Sequence, residues 1–551
     1  MISAVIKRIT RTPSGPYLLL CLTALGTLFF RLGSLPFIGS DECRYARIAD
    51  EMNRAGRWVT PLLQGYPWLE KPPLYYWITI FVYRIFGVNE AAARLGPALC
   101  ALLAAASVLW LGSKLWSRRE GLLGGLILLT GIGFCAYGRS ASPDMPITAC
   151  FTIAFALLAA AVIKGGMAFW KIACAYLLLG LAALAKGPVA FVMGTGILVL
   201  FWALDEQGNS LRRLFVLSGS PIALMVAWPW YWLAFKQNGF SFISIFFINH
   251  NLARYVTDIH HHEQPLYYFL PVLLGLFFPW SGWLPALISG PHRRKTLDWR
   301  TWDRSTLFLV CWALFPFLFF SLSNSKLPGY ILPSLPPLAL LLGRKLAELA
   351  QNQSAGMKLG AARWSHLILS LCLAVAMPII TRESYRNAWR AGLPLAAAVL
   401  LPALFAFAFA RRGNLRAAVH ATVVQGLVLV LAVTLFGFAP LAEYNSTREI
   451  AHQALAADVE GEPIITFCYF HHTLNYYTGY RIGINIIDPV SLLEFAQLQP
   501  RFLVVTETPQ DQHLEKMPEL SVTPLGEQGD VRLLRVTLRP RFLHPASGQK
   551  R

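Results

Sequence analysis

Long apolar runs separated by short polar stretches set the pattern of this chain. A helix that crosses a membrane needs about 20 mostly apolar residues. Applied along the chain, that rule predicts thirteen spans, near 14–34, 93–113, 120–138, 145–163, 170–185, 188–204, 214–235, 266–290, 306–323, 329–347, 364–380, 391–410 and 418–438. Only a Lys-Gly-Pro turn at 186–188 divides two of them. Residues 73–88 are apolar but short and flanked by charge, which predicts an interfacial or re-entrant helix. After about residue 440 the pattern changes. Short β-rich runs (Ile464–Tyr469, Ile482–Ile487, Phe502–Thr506, Val531–Leu538) alternate with helical stretches at 447–458 and 489–498, which predicts a small α/β domain. The expected organisation is a polytopic transmembrane domain over 1–439, with large outside loops at 35–92 and 236–265, followed by an outside α/β domain over 440–551.

Orientation follows from the basic residues, which collect on the cytoplasmic side. With the N-terminus inside, the inside loops or their edges contain Lys7/Arg8/Arg11, Lys114/Arg118/Arg119, Lys164/Lys171, Arg212/Arg213, Arg293/Arg294/Lys295, Arg344/Lys345 and Arg411/Arg412/Arg416. One short outside loop, carrying Arg382, Arg386 and Arg390, breaks the pattern against seven that keep it. The N-terminus resembles a signal peptide, but no small-residue cleavage site follows, so it is expected to remain as the first span.

Composition sharpens this reading. Of 551 residues, 55% are hydrophobic and 14% charged, against about 25% charged in soluble domains. That excludes an ordinary soluble enzyme, and 35 Phe, 17 Trp and 19 Tyr exclude disorder. A net charge of +19 invites a nucleic-acid partner, but the basic residues sit in small clusters between apolar runs. Membrane lipids are therefore the expected surroundings and no nucleic acid is expected. Seven of the nine cysteines lie within apolar runs, and no CxxC pair occurs. Cys43 and Cys468 fall outside, so a bond between them is the one disulfide open to the chain.

The candidate chemistry lies on the outer face, where charged groups near the membrane are expensive unless they serve something. Ser40-Asp41-Glu42-Cys43-Arg44-Tyr45 follows the first span. Ser40 suits a helix N-cap with Asp41 and Glu42 in the first turn; equally, two carboxylates beside Arg44 suit general-base or charge-stabilising chemistry. Glu70-Lys71-Pro72-Pro73 supports two readings: Lys71 reaches to the interface with Glu70 as its partner, or Lys71 grips a lipid phosphate while Glu70 ligates a cation. Asp144 opens the fourth span, where a cap explains it well. Lys186 and Lys326 occupy tight outside turns on the face that should be poor in cations, which favours an anionic ligand. The second long loop adds His250, Asn251 and Arg254, then His260-His261-His262-Glu263, which has metal-ligand chemistry without a strong spacing. Carboxylates and bases gathered on one face suit an enzyme acting on a phosphorylated lipid. A lipid or polysaccharide transporter would instead show polar groups at mid-bilayer and paired broken helices.

At these residues the chain resembles a known family. Ser40-Asp41-Glu42-x-Arg44-Tyr45, Glu70-Lys71-Pro72-Pro73, Arg139-x-x-x-Pro143-Asp144, Ala185-Lys186-Gly187-Pro188 and Lys326-Leu327-Pro328-x-Tyr330 look like the aminoarabinose lipid A transferases of Gram-negative bacteria, within the wider superfamily of protein O-mannosyltransferases. The similarity covers about residues 14–440. It implies a GT-C glycosyltransferase fold with 13 spans and a periplasmic C-terminal domain. It also implies transfer of a sugar, 4-amino-4-deoxy-L-arabinose in the nearest family, from an undecaprenyl (polyprenyl) phosphate donor, commonly with inversion.

The acceptor implied is lipid A; the wider relatives act on protein hydroxyls or other periplasmic glycans. The family's catalytic aspartate falls on Asp41, with Glu42 and the second aspartate, Asp144, close by. Its Glu-Lys pair falls on Glu70 and Lys71. Arg254 aligns with the family's lipid-phosphate arginine, and its metal-side histidine falls on either His250 or Asn251. Arg44, Tyr45, Lys186, Lys326 and Tyr330 complete the expected substrate contacts, and Glu70 with His250 the expected site for a divalent metal (Zn or Mg/Mn). No nucleotide cofactor is expected, because the donor is already activated as its phosphate ester.

Overall fold

The computed structural model describes residues 12–164, 168–206, 216–257, 264–289, 298–351, 359–385, 388–458 and 461–542. The basic clusters at 7–11, 212–213 and 293–295, Arg386, and the histidines at 260–262 lie outside the described residues. The chain divides into two compact units, one of residues 1–33 and 48–436, the other of 34–47 and 437–551.

The described part of the first unit is mainly helical, with one short ribbon of Leu62–Leu63 and Tyr66–Pro67. Among the described residues, seven helices are long and apolar enough to cross a membrane, or nine where each of two bent pairs is one span. All thirteen expected spans coincide with helical structure. Part of the difference in number arises where helices are short or broken, and the 19-residue helix Ser220–Asn238, rich in Trp and Tyr, also falls outside the count. Gly131 interrupts Arg118–Thr130 and Ile132–Gly138, which bend by 67°. Leu266–Leu276 and Trp280–Ile288 bend by 110°. Gly15–Phe29 and Val189–Leu204 are apolar but shorter. The stretch 73–88 forms the helix Leu74–Phe86, whose 13 residues rise only about 20 Å, well short of the hydrocarbon thickness.

Close helix approach in this unit rests on small residues. Gly112 faces Gly121, and a side chain added at either would collide with backbone. Ser117 caps the Arg118–Thr130 helix through Glu120 N–H, and Asn89 caps Glu90–Leu115 through Ala92 N–H. Arg139, part of the sequence motif, donates to the carbonyls of Thr27, Leu28 and Phe30 at 3.0–3.3 Å. It thereby satisfies acceptors that a helix end leaves without intrahelical partners.

The second unit contains a five-stranded sheet. Its strands are β1 (Ile464–Phe467), β2 (Ile482–Ile486), β3 (Arg501–Glu507), β4 (Leu520–Gln528) and β5 (Val531–Leu538), in spatial order β2-β1-β3-β5-β4. β1 runs parallel to both β2 and β3; β5 runs antiparallel to both β3 and β4. Ile465, Phe467, Phe502, Val504 and Leu534 bury one face, packed with Leu492 and Ala496 of the helix Pro489–Leu498. Ile464, Leu503, Val505 and Leu533 bury the other, packed with Ile450 and Ala454 of the helix Arg448–Ala457. Strand β4 is missing from the sequence expectation. It carries Pro524 and Gly526 at a register shift, residues that an edge strand tolerates and an inner strand does not. Cys43 and Cys468, whose pairing the sequence left open, are both free thiols. Cys43 is buried against the carbonyls of Gly39 and Ser40, while Cys468 is exposed and points to the Ile487 carbonyl.

Candidate active site

In the first unit, consecutive helices bring opposite charges together. Asp144 begins the helix Asp144–Lys164 and Lys186 ends the helix Phe169–Lys186. Acidic groups are favoured at helix N-termini and cations at C-termini. Because the two helices follow each other in the chain and pack side by side, the start of one lies beside the end of the other. Asp144 and Lys186 form an ion pair. The chain leaves the second helix through Gly187, whose φ of +102° excludes ordinary side chains. A Cβ there would stand 3.1 Å from the Asn251 amide oxygen.

Tyr330, in the short helix Pro328–Ser334, presents its ring to two cations: Lys186 Nζ lies 4.8 Å and the Arg254 guanidinium carbon 5.8 Å from its centre. Arg254 follows the π-helix Ile243–Ala253, which also carries His250. His250 Nε2 stands 3.7 Å from Glu70 Oε1. Lys71 completes the group. Burial and the charges of Arg254 and Lys186 push its ammonium down to about 8, against the opposing pull of Glu70 and Asp144. Three cations thus share one neighbourhood with two carboxylates, an arrangement that costs free energy until an anion enters it.

The chain approaches this cluster closely at Gly329. A Cβ there would meet Tyr137 at 2.9 Å and Asp144 Oδ1 at 3.1 Å. Gly329→Ala is therefore expected to cost about 1–3 kcal/mol of stability as Tyr137 and Asp144 give way, to be checked by thermal unfolding in detergent. A melting temperature equal to that of the native protein would show that the contact is slack.

Lys326 is buried, and its Nζ donates to the Gln264 carbonyl at 2.8 Å. Among the described residues, no group of three or more His, Cys, Asp or Glu side chains is arranged to hold a metal ion.

The helix Gly39–Ala55, whose residues up to Arg47 belong to the second unit, starts two residues earlier than the sequence suggests, so Ser40 lies inside it rather than at its cap. Asp41 and Glu42 do occupy its first turn. Glu42 is buried and its carboxylate accepts from the Ile38 N–H at 3.5 Å, which gives it a capping task. Asp41 remains 58% exposed and forms an ion pair with Arg44. Tyr45 is buried. His472, which the sequence reading passed over, lies within electrostatic reach of this pair. Burial first, then Arg44 and His471, lower its pKa, and Asp41 opposes them. The only sequence signal for it is the run Phe470-His471-His472 at the end of β1.

Residues 70–232 match the family described as dolichyl-phosphate-mannose-protein mannosyltransferase. The undecaprenyl phosphate-alpha-4-amino-4-deoxy-L-arabinose arabinosyl transferase of Erwinia tasmaniensis is 31% identical over 326 residues, 58% of this chain and 57% of that one. Its counterpart from Yersinia enterocolitica is 33% identical over 372 residues, 65% of each chain. The chain therefore spans between about half and two thirds of the length of these curated relatives. Among solved structures, ArnT from Cupriavidus metallidurans bound to undecaprenyl phosphate superposes with a TM-score of 0.78 at 24% identity, covering 97% of this chain and 100% of that one. The apo form of ArnT gives 0.77 at 25% identity, covering 96% and 98%. The chain is a multi-pass membrane protein with the GT-C fold of these structures, and over 58–65% of its length it is similar in sequence to the aminoarabinose transferases.

Proposed function

We propose that the protein transfers 4-amino-4-deoxy-L-arabinose from undecaprenyl phosphate to lipid A on the periplasmic face of the inner membrane. The observation that carries this reading is the pair Lys186 and Arg254 at the Tyr330 ring, with Lys71 in electrostatic reach of both and Asp144 paired with Lys186. Such a site suits a phosphate monoanion that leaves with growing negative charge, which Lys71 and Arg254 stabilise in the transition state. A sugar already activated as a phosphate ester needs no nucleotide. Asp41 orients the acceptor or takes its proton, and inversion follows if the acceptor oxygen attacks opposite the departing phosphate. A phosphate acceptor is already anionic and leaves a base little to do; a hydroxyl acceptor needs one.

Glu70 and His250 are proposed to hold a divalent cation near the donor phosphate. Two protein donors are one short of the three usual in catalytic zinc sites, and an imidazole nitrogen beside a carboxylate suits a transition-metal ion such as zinc or manganese better than magnesium, which takes oxygen ligands. When bound, the cation would help to neutralise the phosphate. Dialysis against a chelator is expected to lower turnover, Mn2+ to restore it, and His250→Ala to abolish the restoration. Full turnover after chelation would remove the cation from the mechanism.

The acceptor is tested in cells. Lipid A from a strain lacking other aminoarabinose transferases should gain the aminopentose mass when this chain is expressed. Unchanged lipid A, with a new sugar on surface protein or another glycan, would replace the acceptor.

A further inference from the structure

The stretch 34–47, which carries Asp41, belongs to the same compact unit as residues 437–551. Four contacts within that unit join two parts of the chain about 440 residues apart. The Phe37 N–H donates to the Tyr477 hydroxyl at 2.7 Å. The Phe37 ring meets Tyr476 edge-on at 5.0 Å and stacks on Tyr477 at 6.4 Å. The Arg47 guanidinium lies 4.0 Å over the Tyr480 ring. All three tyrosines fall in or just after the helix His472–Tyr477, which also brings His472 within reach of the Asp41–Arg44 pair.

These contacts fall where aim is decided. Gly39 enters the helix at φ +65°, a conformation in which glycine is the most permissive residue. The first N–H groups of a helix have no partner within it; here the two just upstream are held, Ile38 by Glu42 and Phe37 by Tyr477. The first holds the turn to its own helix. The second ties it to the sheet domain, and Asp41 follows four residues later.

We propose that the segment His472–Tyr480 is the mount that aims the Asp41 carboxylate, with the Tyr477 hydroxyl as its positioning group. This rests on the reading of Asp41 as the catalytic group. The C-terminal domain then has a part in the reaction although it supplies no catalytic residue. A misplacement of about 1 Å at a reacting group can cost about a hundredfold in rate, so one lost tether has a measurable effect.

The test is a double-mutant cycle on the purified full chain, with kcat and donor KM measured for native, Tyr477→Phe, Asp41→Asn and the double variant. Tyr477→Phe keeps both ring contacts and removes only the acceptor oxygen. It is expected to lower kcat by about tenfold to a hundredfold, leave the donor KM unchanged and melt within a few degrees of the native protein. A positioning group acts through the residue it aims, so the double variant is expected to turn over no more slowly than Asp41→Asn alone. Losses that multiply in the double variant would assign Tyr477 a separate, structural role and overturn the proposal. Native kcat in Tyr477→Phe beside an impaired Asp41→Asn would overturn it and leave Asp41 catalytic. Native kcat in Asp41→Asn would overturn the catalytic reading and the mount together.

Discussion

Asp41→Asn is expected to lose about a hundredfold or more in turnover while folding, expressing and melting nearly as the native protein does. The substitution is isosteric and removes the charge. Structurally, Asp41 holds an exposed ion pair with Arg44, three residues on in the same helix. Exposed pairs of this kind contribute about 0–1 kcal/mol, and an acidic residue in the first turn adds a few tenths more. A structural role therefore predicts a small shift in melting temperature and full activity. A catalytic role predicts the reverse, because a general base or charge-stabilising carboxylate is worth at least about a hundredfold. Turnover and melting measured on the same preparation separate the two. Near-normal turnover would move the role to Asp144, since Glu42 is buried and occupied at the helix start.

Lys71→Ala and Arg254→Ala are each expected to weaken donor binding by about 1.5–3 kcal/mol, the range for hydrogen bonds to charged groups, or roughly tenfold to 150-fold in Kd. The two act on one ligand within one cluster, so their effects should not be additive. Arg254→Lys should recover only part of the loss, because an ammonium cannot offer the planar fork of a guanidinium. Equilibrium binding of undecaprenyl phosphate in detergent reads this directly. Native affinity in both single variants would reduce these groups to cations that merely reach for the interface.

Much of this architecture was legible in the sequence. Apolar runs of span length are a strong signal, and each predicted span coincides with helix. The breaks were not legible, because a bend at Gly131 or after Leu276 leaves the hydropathy of the run unchanged. Strand β4 was hidden for the opposite reason. Its Pro524, Gly526 and mostly exposed side chains look like a loop, and only pairing with β5 makes it a strand.

At the site, cations on a face normally poor in them pointed to Lys71, Lys186 and Arg254. The sequence could not show that Lys186 pairs with Asp144, or that Lys326, from an equally suggestive turn, donates to the Gln264 carbonyl. Those outcomes depend on which helix ends meet. Tyr477 carried no signal and His472 only that of a short His-His run, since their importance lies in contacts with a segment about 440 residues away.

Sugar transfer from a lipid phosphate is read directly with the purified chain, undecaprenyl phosphate-linked aminoarabinose and lipid A in detergent or liposomes. Mass spectrometry of the lipid products should show lipid A gaining the aminopentose as undecaprenyl phosphate is released in equal amount, with both signals lost in Asp41→Asn. Donor left intact beside an unmodified acceptor, with the protein folded and binding undecaprenyl phosphate, would contradict the account.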